Sequence, residues 1–400
     1  MKDVMTKKQM TALEFRLSIP RYLISKGLST LFPHRLFPKA SCLHLTQVPT
    51  PILPSPDWVH VKVEACGICG SDLNALRGNE SYSMEPYSSF PAIMGHEIIG
   101  RTEDGTRVAV ENILPCCTRD IVPPCRHCAD GDYNLCGHFI DGKVAPGVCI
   151  GFTRGLGGGF SEHVVAHKSQ LFPIPDSLPL HSAVLVDSLA SAMQPVATHA
   201  PKNTDTVLVI GAGIIGLNTI QCLRAIGFTG TILAVARHVF QANWAKKLGA
   251  THIIKNIYND VAQHTHARVL KPIMGPPVLE GGVDLVFDCV GSSQTVDSAL
   301  RVTRKRGKVV LVGTAGTLKM DASPIWFKEI VLTGSAMFGQ TTIQEKRQRT
   351  YQHVIDMLSD GRLSGNGLVT HEFPVTDYVA AFDAALNKVR HKSVKVVLTN

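Results

Sequence analysis

Long apolar runs are missing from this chain. No uninterrupted apolar stretch in its 400 residues approaches the ~18 that a membrane-spanning helix needs, so no membrane partner is expected. Charge is sparse too: 18% of residues are charged and 44% apolar, the balance of a soluble globular protein and not of a disordered one. Internal repeats and low-complexity tracts are absent. A secretory leader is lacking and the 11 cysteines are an odd number, which argues against a disulfide framework and for a cytoplasmic location. Acids are scarce at the start, where Lys2, Lys7, Lys8, Arg16, Arg21, Lys26, Arg35 and Lys39 face only Asp3 and Glu14. Transit peptides share that bias. Because Ala12-Leu13-Glu14-Phe15 reads as a first strand, residues 1–9 are instead taken as a solvated extension. The net charge of +8 is modest, and no nucleic-acid partner is expected.

What is present begins with Cys69 and His96. Cys66-Gly67-Ile68-Cys69-Gly70-Ser71-Asp72 is followed by a polar loop and then Gly95-His96-Glu97. A thiolate, an imidazole and a carboxylate thus stand close in sequence, with enough loop to fold back on one centre. Zinc accepts these donors, and a catalytic zinc keeps only three protein ligands so that a fourth place stays open. Ser71 has the reach to meet a substrate hydroxyl there, and Asp72 to accept the second ring N–H of His96. The competing reading is a buried thiol and a core histidine that never meet.

Five cysteines fall between positions 116 and 136. The spacing Cys125-x2-Cys128-x7-Cys136, with a further thiol upstream, matches a closed four-thiolate zinc site in a lobe too small to fold on apolar burial alone. Spacing does not separate Cys116 from Cys117, and Cys116 is taken as the fourth ligand. Around these sites, Val59–Val63 and Thr106–Val110 alternate as strands do, and Pro49 to Pro56 reads as a stiff extended connector. Leu178–Ala200 reads as one helix, with Asp187 in its apolar part. That carboxylate is either a surface charge or a metal ligand.

The second half alternates strand and helix. Val207–Ile210 runs into Gly211-Ala212-Gly213-Ile214-Ile215-Gly216 and a helix over Leu217–Gly227, followed by a strand over Thr231–Val235. A glycine fingerprint in that setting is a strong dinucleotide signal. The helix N-terminus offers N–H groups to phosphate. Helices over Gln241–Leu248 and Gln294–Arg304 and strands over Val283–Phe287, Lys308–Val312 and Ile330–Thr333 complete a doubly wound parallel sheet. Gly211, Gly213, Ile214, Ile215, Gly216, Ala236, Arg237 and Val290 form the candidate cofactor-binding set. After the second strand stands Ala236-Arg237-His238, where an NAD enzyme places an acid for the ribose. With an arginine there, NADP is favoured over NAD. A helix over Gln344–Gly361, strands near Leu368–Phe373 and Val394–Leu398, and a helix over Thr376–Val389 end the chain.

On these motifs, in this order and from about residue 10 onward, the chain resembles the zinc-dependent medium-chain dehydrogenases/reductases of the alcohol dehydrogenase type. The resemblance implies an α/β protein: a GroES-like β-rich catalytic domain over 1–190 with a structural-zinc lobe at about 112–140, a Rossmann domain over 191–340, and a segment over 341–400 that completes the first domain. It implies catalytic zinc on Cys69 and His96, with Glu97 as ligand or backing carboxylate and Asp187 where relatives carry a Glu before a Pro. A structural zinc would sit on Cys116, Cys125, Cys128 and Cys136. Hydride would pass between a carbinol carbon and the nicotinamide, Ser71 would relay the proton, and the protein would be a homodimer or homotetramer acting on a small alcohol or carbonyl compound. Three departures stand out. Asp187-Ser188 replaces Glu-Pro, Asn74 replaces a relay histidine, and the gap before Cys125 is longer, with Val122 at the usual thiol position. A zinc-free double-bond reductase of the same superfamily and a catalytically inactive descendant are the rival readings.

Overall fold

The computed structural model describes residues 9–400. Contacts divide the chain into two compact units. One runs up to Asp187 and resumes over Ser364–Asn400, and the other is Ser188–Leu363.

The first unit is built on a seven-stranded sheet. Its path runs Val369–Pro374, Lys395–Thr399, Trp58–Gly67, Glu97–Thr102, Arg107–Val110 and Leu171–Pro173, with His163–His167 pairing Trp58–Gly67 off that path. The alternation read over 59–63 is the middle of Trp58–Gly67, whose Trp58, Val61 and Val63 are buried with Phe160, Val164 and Phe382. A three-stranded sheet joins Leu43–Pro49, Gln9–Phe15 and Ala92–Ile93. Gln9 pairs with Pro49, so the strand starts inside the stretch expected to be a solvated extension; residues 1–8 lie outside the described residues.

A helix over Ile19–Leu31, which the sequence pattern did not announce, is inserted between the first two strands, with a proline in its first turn. Its buried residues are only Ser25 and Ser29. Small side chains on that face allow close packing: a Cβ on Gly78 would stand 2.9 Å from both Tyr22 O and Lys26 Cβ. Gly78 is the left-handed C-cap of the helix Gly70–Arg77, so the inserted helix is seated directly on that element.

The second unit holds the doubly wound sheet. Its six strands, Thr206–Ile210, Thr231–Val235, His252–Ile254, Val283–Asp288, Thr303–Leu311 and Val331–Gly334, are all parallel and lie in the order third, second, first, fourth, fifth, sixth. The order reverses between the first and fourth strands, where ligands bind in such sheets.

Three expected elements differ. The helix read over 178–200 is two, Leu180–Ala183 and Val186–Thr198. Val184 and Leu185 at the break are both buried, so the apolar pattern runs through a change in backbone path. Residues read as the start of a helix at Gln344 form a hairpin, Gln340–Ile343 with Lys346–Arg349, and the helix is Thr350–Ser359. Gln344 and Glu345 both have positive φ, 50° and 67°, as a two-residue hairpin turn of the mirror-image type requires. That helix also belongs to the second unit and not to the returning segment: Thr350 Oγ1 donates to Gln194 Oε1 at 2.7 Å, and the return starts at Ser364.

Candidate active site

Sheet register assembles the first cluster. Glu97 opens the strand Glu97–Thr102 directly opposite Gly67, the last residue of Trp58–Gly67, while Cys69 caps the helix Gly70–Arg77 two residues on. Ligand atoms of Cys69, His96 and Glu97 consequently lie within 4.8 Å of one another. Position 67 must be glycine, because a Cβ would stand 2.2 Å from Glu97 Oε2. His96 and Glu97 are buried and Cys69 is half-exposed, so the cluster is open on one side.

Asp72 does not accept the His96 ring N–H. Its Oδ1 stands 3.7 Å from His96 Nδ1, and neither atom makes a hydrogen bond. Its Oδ2 is committed to the Cys69 N–H at 2.8 Å, closing the first turn of the helix. Asp72 thus acts on His96 as a charge. Burial alone disfavours the imidazolium, but the Asp72 carboxylate and the Cys69 sulfur outweigh it and raise His96 to about 10. The cluster favours a cation.

Glu97 has a partner that the sequence did not signal. Lys395 Nζ forms a buried ion pair with Glu97 Oε2 and donates to Ile68 O at 2.9 Å. Both side chains are almost fully buried. Removing one member of such a pair costs about 3–5 kcal/mol, because the other charge is left unpaired. Lys395→Met is expected to be destabilised by about that amount in denaturant titration, and Lys395→Met with Glu97→Gln to recover at least half of it. Equal loss in the single and double variants would show that packing, not charge, sets the effect.

Asp187 is not among the three converging residues. It lies in the first turn of Val186–Thr198, a favourable place for an acid. Its Oδ2 accepts from Asn112 Nδ2 at 2.7 Å, and the same amide donates to His96 O at 3.1 Å. Asn112 therefore couples the backbone of His96 to Asp187. Ser71 is half-exposed in the first turn of Gly70–Arg77, and Asn74 lies on the same helix.

The second cluster is Cys116, Cys125, Cys128 and Cys136, whose Sγ atoms also lie within 4.8 Å of one another. Cys117 is exposed and its Sγ is 3.4 Å from Ser169 Oγ. Backbone N–H groups point at the sulfurs: Cys125 to Cys116 at 3.3 Å, Gly137 to Cys125 at 3.4 Å and His138 to Cys136 at 3.4 Å. Burial raises a thiol, yet the Gly137 N–H and the neighbouring Cys128 bring Cys125 down to about 6, while burial pushes Cys136 up to about 11. Inside the long gap before Cys125 sits Arg119. It is fully buried and donates to Leu114 O at 2.9 Å, Asp141 O at 2.8 Å and Val144 O at 3.3 Å. The extra residues hold an internal cross-brace for the lobe.

In the second unit, the glycine turn joins Thr206–Ile210 to the helix Ile214–Ala225. Gly211 has φ +95°, and a Cβ on Gly216 would stand 1.7 Å from Gly211 O, which fixes glycine at both. An added Cβ at Gly213 meets nothing within 4 Å, so the helix N-terminus is open to a ligand. Ile214 and Ile215 form the first turn of that helix. Val290 is 45% exposed, and its Cγ2 approaches the Gly211 position to 2.5 Å of the Cβ that glycine lacks. Asp288 holds the loop by accepting from the Val290 and Gly291 N–H groups at 3.0 and 3.2 Å. Ala236 is buried, and Arg237 beside it is exposed.

Two family descriptions match the chain: an alcohol dehydrogenase GroES-like domain over residues 55–176 and a zinc-binding dehydrogenase over 215–360. The chain belongs to the zinc-type medium-chain alcohol dehydrogenases. Among curated relatives, sorbitol dehydrogenase of Bacillus subtilis is 29% identical, covering 90% of this chain and 96% of its own. (R,R)-butanediol dehydrogenase of Saccharomyces cerevisiae is 28% identical, covering 74% and 81%. A structure from Sinorhizobium meliloti, called a zinc-binding dehydrogenase and bound to NADP, superimposes with a TM-score of 0.69 at 25% identity, covering 98% of this chain and all 100% of that one. Like its relatives, this alcohol dehydrogenase is an oxidoreductase that moves a hydride between an alcohol or carbonyl substrate and a nicotinamide cofactor. No helix among the described residues is long and apolar enough to cross a membrane. Four partners escaped the sequence reading of this dehydrogenase. Asn112, Arg119, Asp288 and Lys395 act through backbone carbonyls, backbone N–H groups or distant charges, which leave no local motif.

Proposed function

We propose that Cys69, His96 and Glu97 hold a catalytic zinc and that Cys116, Cys125, Cys128 and Cys136 hold a structural one. The observation that carries this is the convergence of a thiolate, an imidazole and a carboxylate on one half-open centre, a donor set suited to zinc. Bound there, zinc polarises a substrate oxygen as a Lewis acid, and the nicotinamide supplies the redox chemistry. The residues around the centre then have separate tasks. Lys395 compensates the buried Glu97 charge, Asp72 fixes the Cys69 turn and biases His96 electrostatically, and Asn112 ties Asp187 to the His96 backbone. Asp187 contributes charge near His96. Ser71 Oγ takes the proton from the substrate hydroxyl and passes it to water, since Asn74 offers no imidazole.

The proposed redox partner is NADP, with Arg237 pairing the 2′-phosphate at the end of the second strand. Arg237→Asp is expected to lower the ratio of kcat/KM for NADP to that for NAD by about tenfold or more, a charge-assisted pair being worth roughly 1.5–3 kcal/mol. An unchanged ratio in steady-state kinetics would assign cofactor choice elsewhere. Eleven cysteines free of disulfides, six of them outside the two candidate metal clusters, suit a reducing cytoplasm, and a homodimer or homotetramer is the proposed assembly.

Metal analysis of protein purified without chelator, with NADPH and NADH titrations alongside, tests the reading. Two zincs per chain with tighter NADPH binding are expected. No zinc with cofactor still bound would favour a zinc-free reductase.

A further inference from the structure

Beside the metal cluster, within the first unit, lies an apolar pocket of about 340 Å³. One wall is the inserted helix, through Ile19 and Leu23, and the facing wall is the turn Tyr82–Tyr87, through Tyr82 and Met84. Ile19 is 71% exposed, Leu23 54%, Tyr82 66% and Met84 46%. Apolar side chains gathered at a rim mark a binding site more often than a plain surface.

Two elements join this pocket to the reaction centre. Phe152 lines the pocket, and its ring centroid lies 5.8 Å from that of His96. Ala75 also lines it, four residues beyond Ser71 on the helix Gly70–Arg77, and residues so spaced share a helix face. The pocket wall and the proposed proton relay are therefore on one side of one helix. Two acids, Glu80 and Glu85, also line the pocket. Burial, with the Asp72 charge adding to it, raises Glu80 to about 7. Carboxyl groups so placed disfavour an anionic substrate.

We propose that this pocket receives the body of the substrate, and that the enzyme acts on a neutral alcohol or carbonyl compound carrying a bulky apolar group, aryl or branched alkyl, rather than on a polyol. This rests on the zinc dehydrogenase reading above and narrows its substrate class. A polyol entering the pocket would strip hydroxyls of water and offer them few partners, each lost hydrogen bond lowering affinity by about tenfold. A phenyl or branched alkyl group loses no hydrogen bond and buries its surface against Leu23, Met84 and Phe152.

The test uses the full-length, zinc-loaded protein. Rates of oxidation of 1-phenylethanol, 2-propanol and sorbitol are compared, together with those of Leu23→Gln and Met84→Gln. Both positions are partly exposed, so the fold is not at stake. Expected are a kcat/KM for 1-phenylethanol at least about a hundredfold above that for sorbitol, and a fall of about tenfold in each variant for 1-phenylethanol with a clearly smaller fall for 2-propanol. A preference for sorbitol, or equal losses on the large and small alcohols, overturns the proposal while leaving the dehydrogenase reading intact. Variants that change the mass in light scattering and not the specificity assign the face to subunit contact and also overturn it. No turnover of any of the three alcohols by the zinc-loaded protein overturns both readings.

Discussion

Replacing Cys69 by serine or His96 by alanine is expected to remove one zinc equivalent and lower turnover by about 10³-fold or more while dinucleotide affinity stays within about twofold. The reasoning is spatial. The proposed zinc ligands belong to the first unit, whereas the glycine turn, Asp288 and the Val290 loop belong to the second. Metal polarisation of a reacting oxygen is worth several kcal/mol, and about 1.4 kcal/mol is a factor of ten in rate. The measurement is elemental analysis, steady-state kinetics and calorimetric titration of NADPH on the same preparations. Loss of cofactor binding together with zinc would refute the division of labour between the two units.

The second large effect concerns the four-thiolate lobe. Cys128→Ser is expected to release the other zinc and to lower Tm by about 10 °C or more. Structural zinc sites supply on the order of 10–16 kcal/mol of apparent folding free energy to small peptides, and losing only part of this exceeds any single core contact. A protein of this size loses a few degrees per kcal/mol. The expected readouts are the scanning-calorimetry shift and new proteolytic cuts within about 112–140. Cys117→Ser is the control: that thiol is exposed against Ser169 and its replacement is expected to leave zinc and Tm unchanged. A wild-type Tm in Cys128→Ser would mean that Arg119 and its carbonyl partners hold the lobe without metal.

Much of this organisation was legible because its causes are local. The strand, glycine turn and helix around Gly211–Gly216 follow from backbone sterics that act over a few residues: Gly216 has no room for a Cβ, and the sequence shows glycine. Thiols at Cys125, Cys128 and Cys136 are near in sequence, so spacing sufficed to group them. Where local pattern failed, something remote or silent decided. Asp72 has the right chemistry to orient His96, but capping its own helix takes one oxygen and the sheet register leaves the other 3.7 Å away. The break at Val184–Leu185 was invisible because buried apolar residues read alike in one helix or two. At Gln344-Glu345 a left-handed turn is made without glycine, so the usual punctuation is missing. The fully buried residues of the helix Ile19–Leu31 are Ser25 and Ser29, so no apolar residue marks its most buried face.

The Lys395 bridge also sets the order in which the molecule can mature. Lys395 meets Ile68 across 327 residues of chain, whereas Cys116 meets Cys136 across 20. On a ribosome all four thiols of the proposed structural-zinc lobe are made while most of the second unit is still untranslated. The centre at Cys69 and His96 stays without the cation that neutralises Glu97 until the strand Lys395–Thr399 is made. Nascent chains thus pass through a long interval with one candidate metal site assembled and the other electrostatically unfinished.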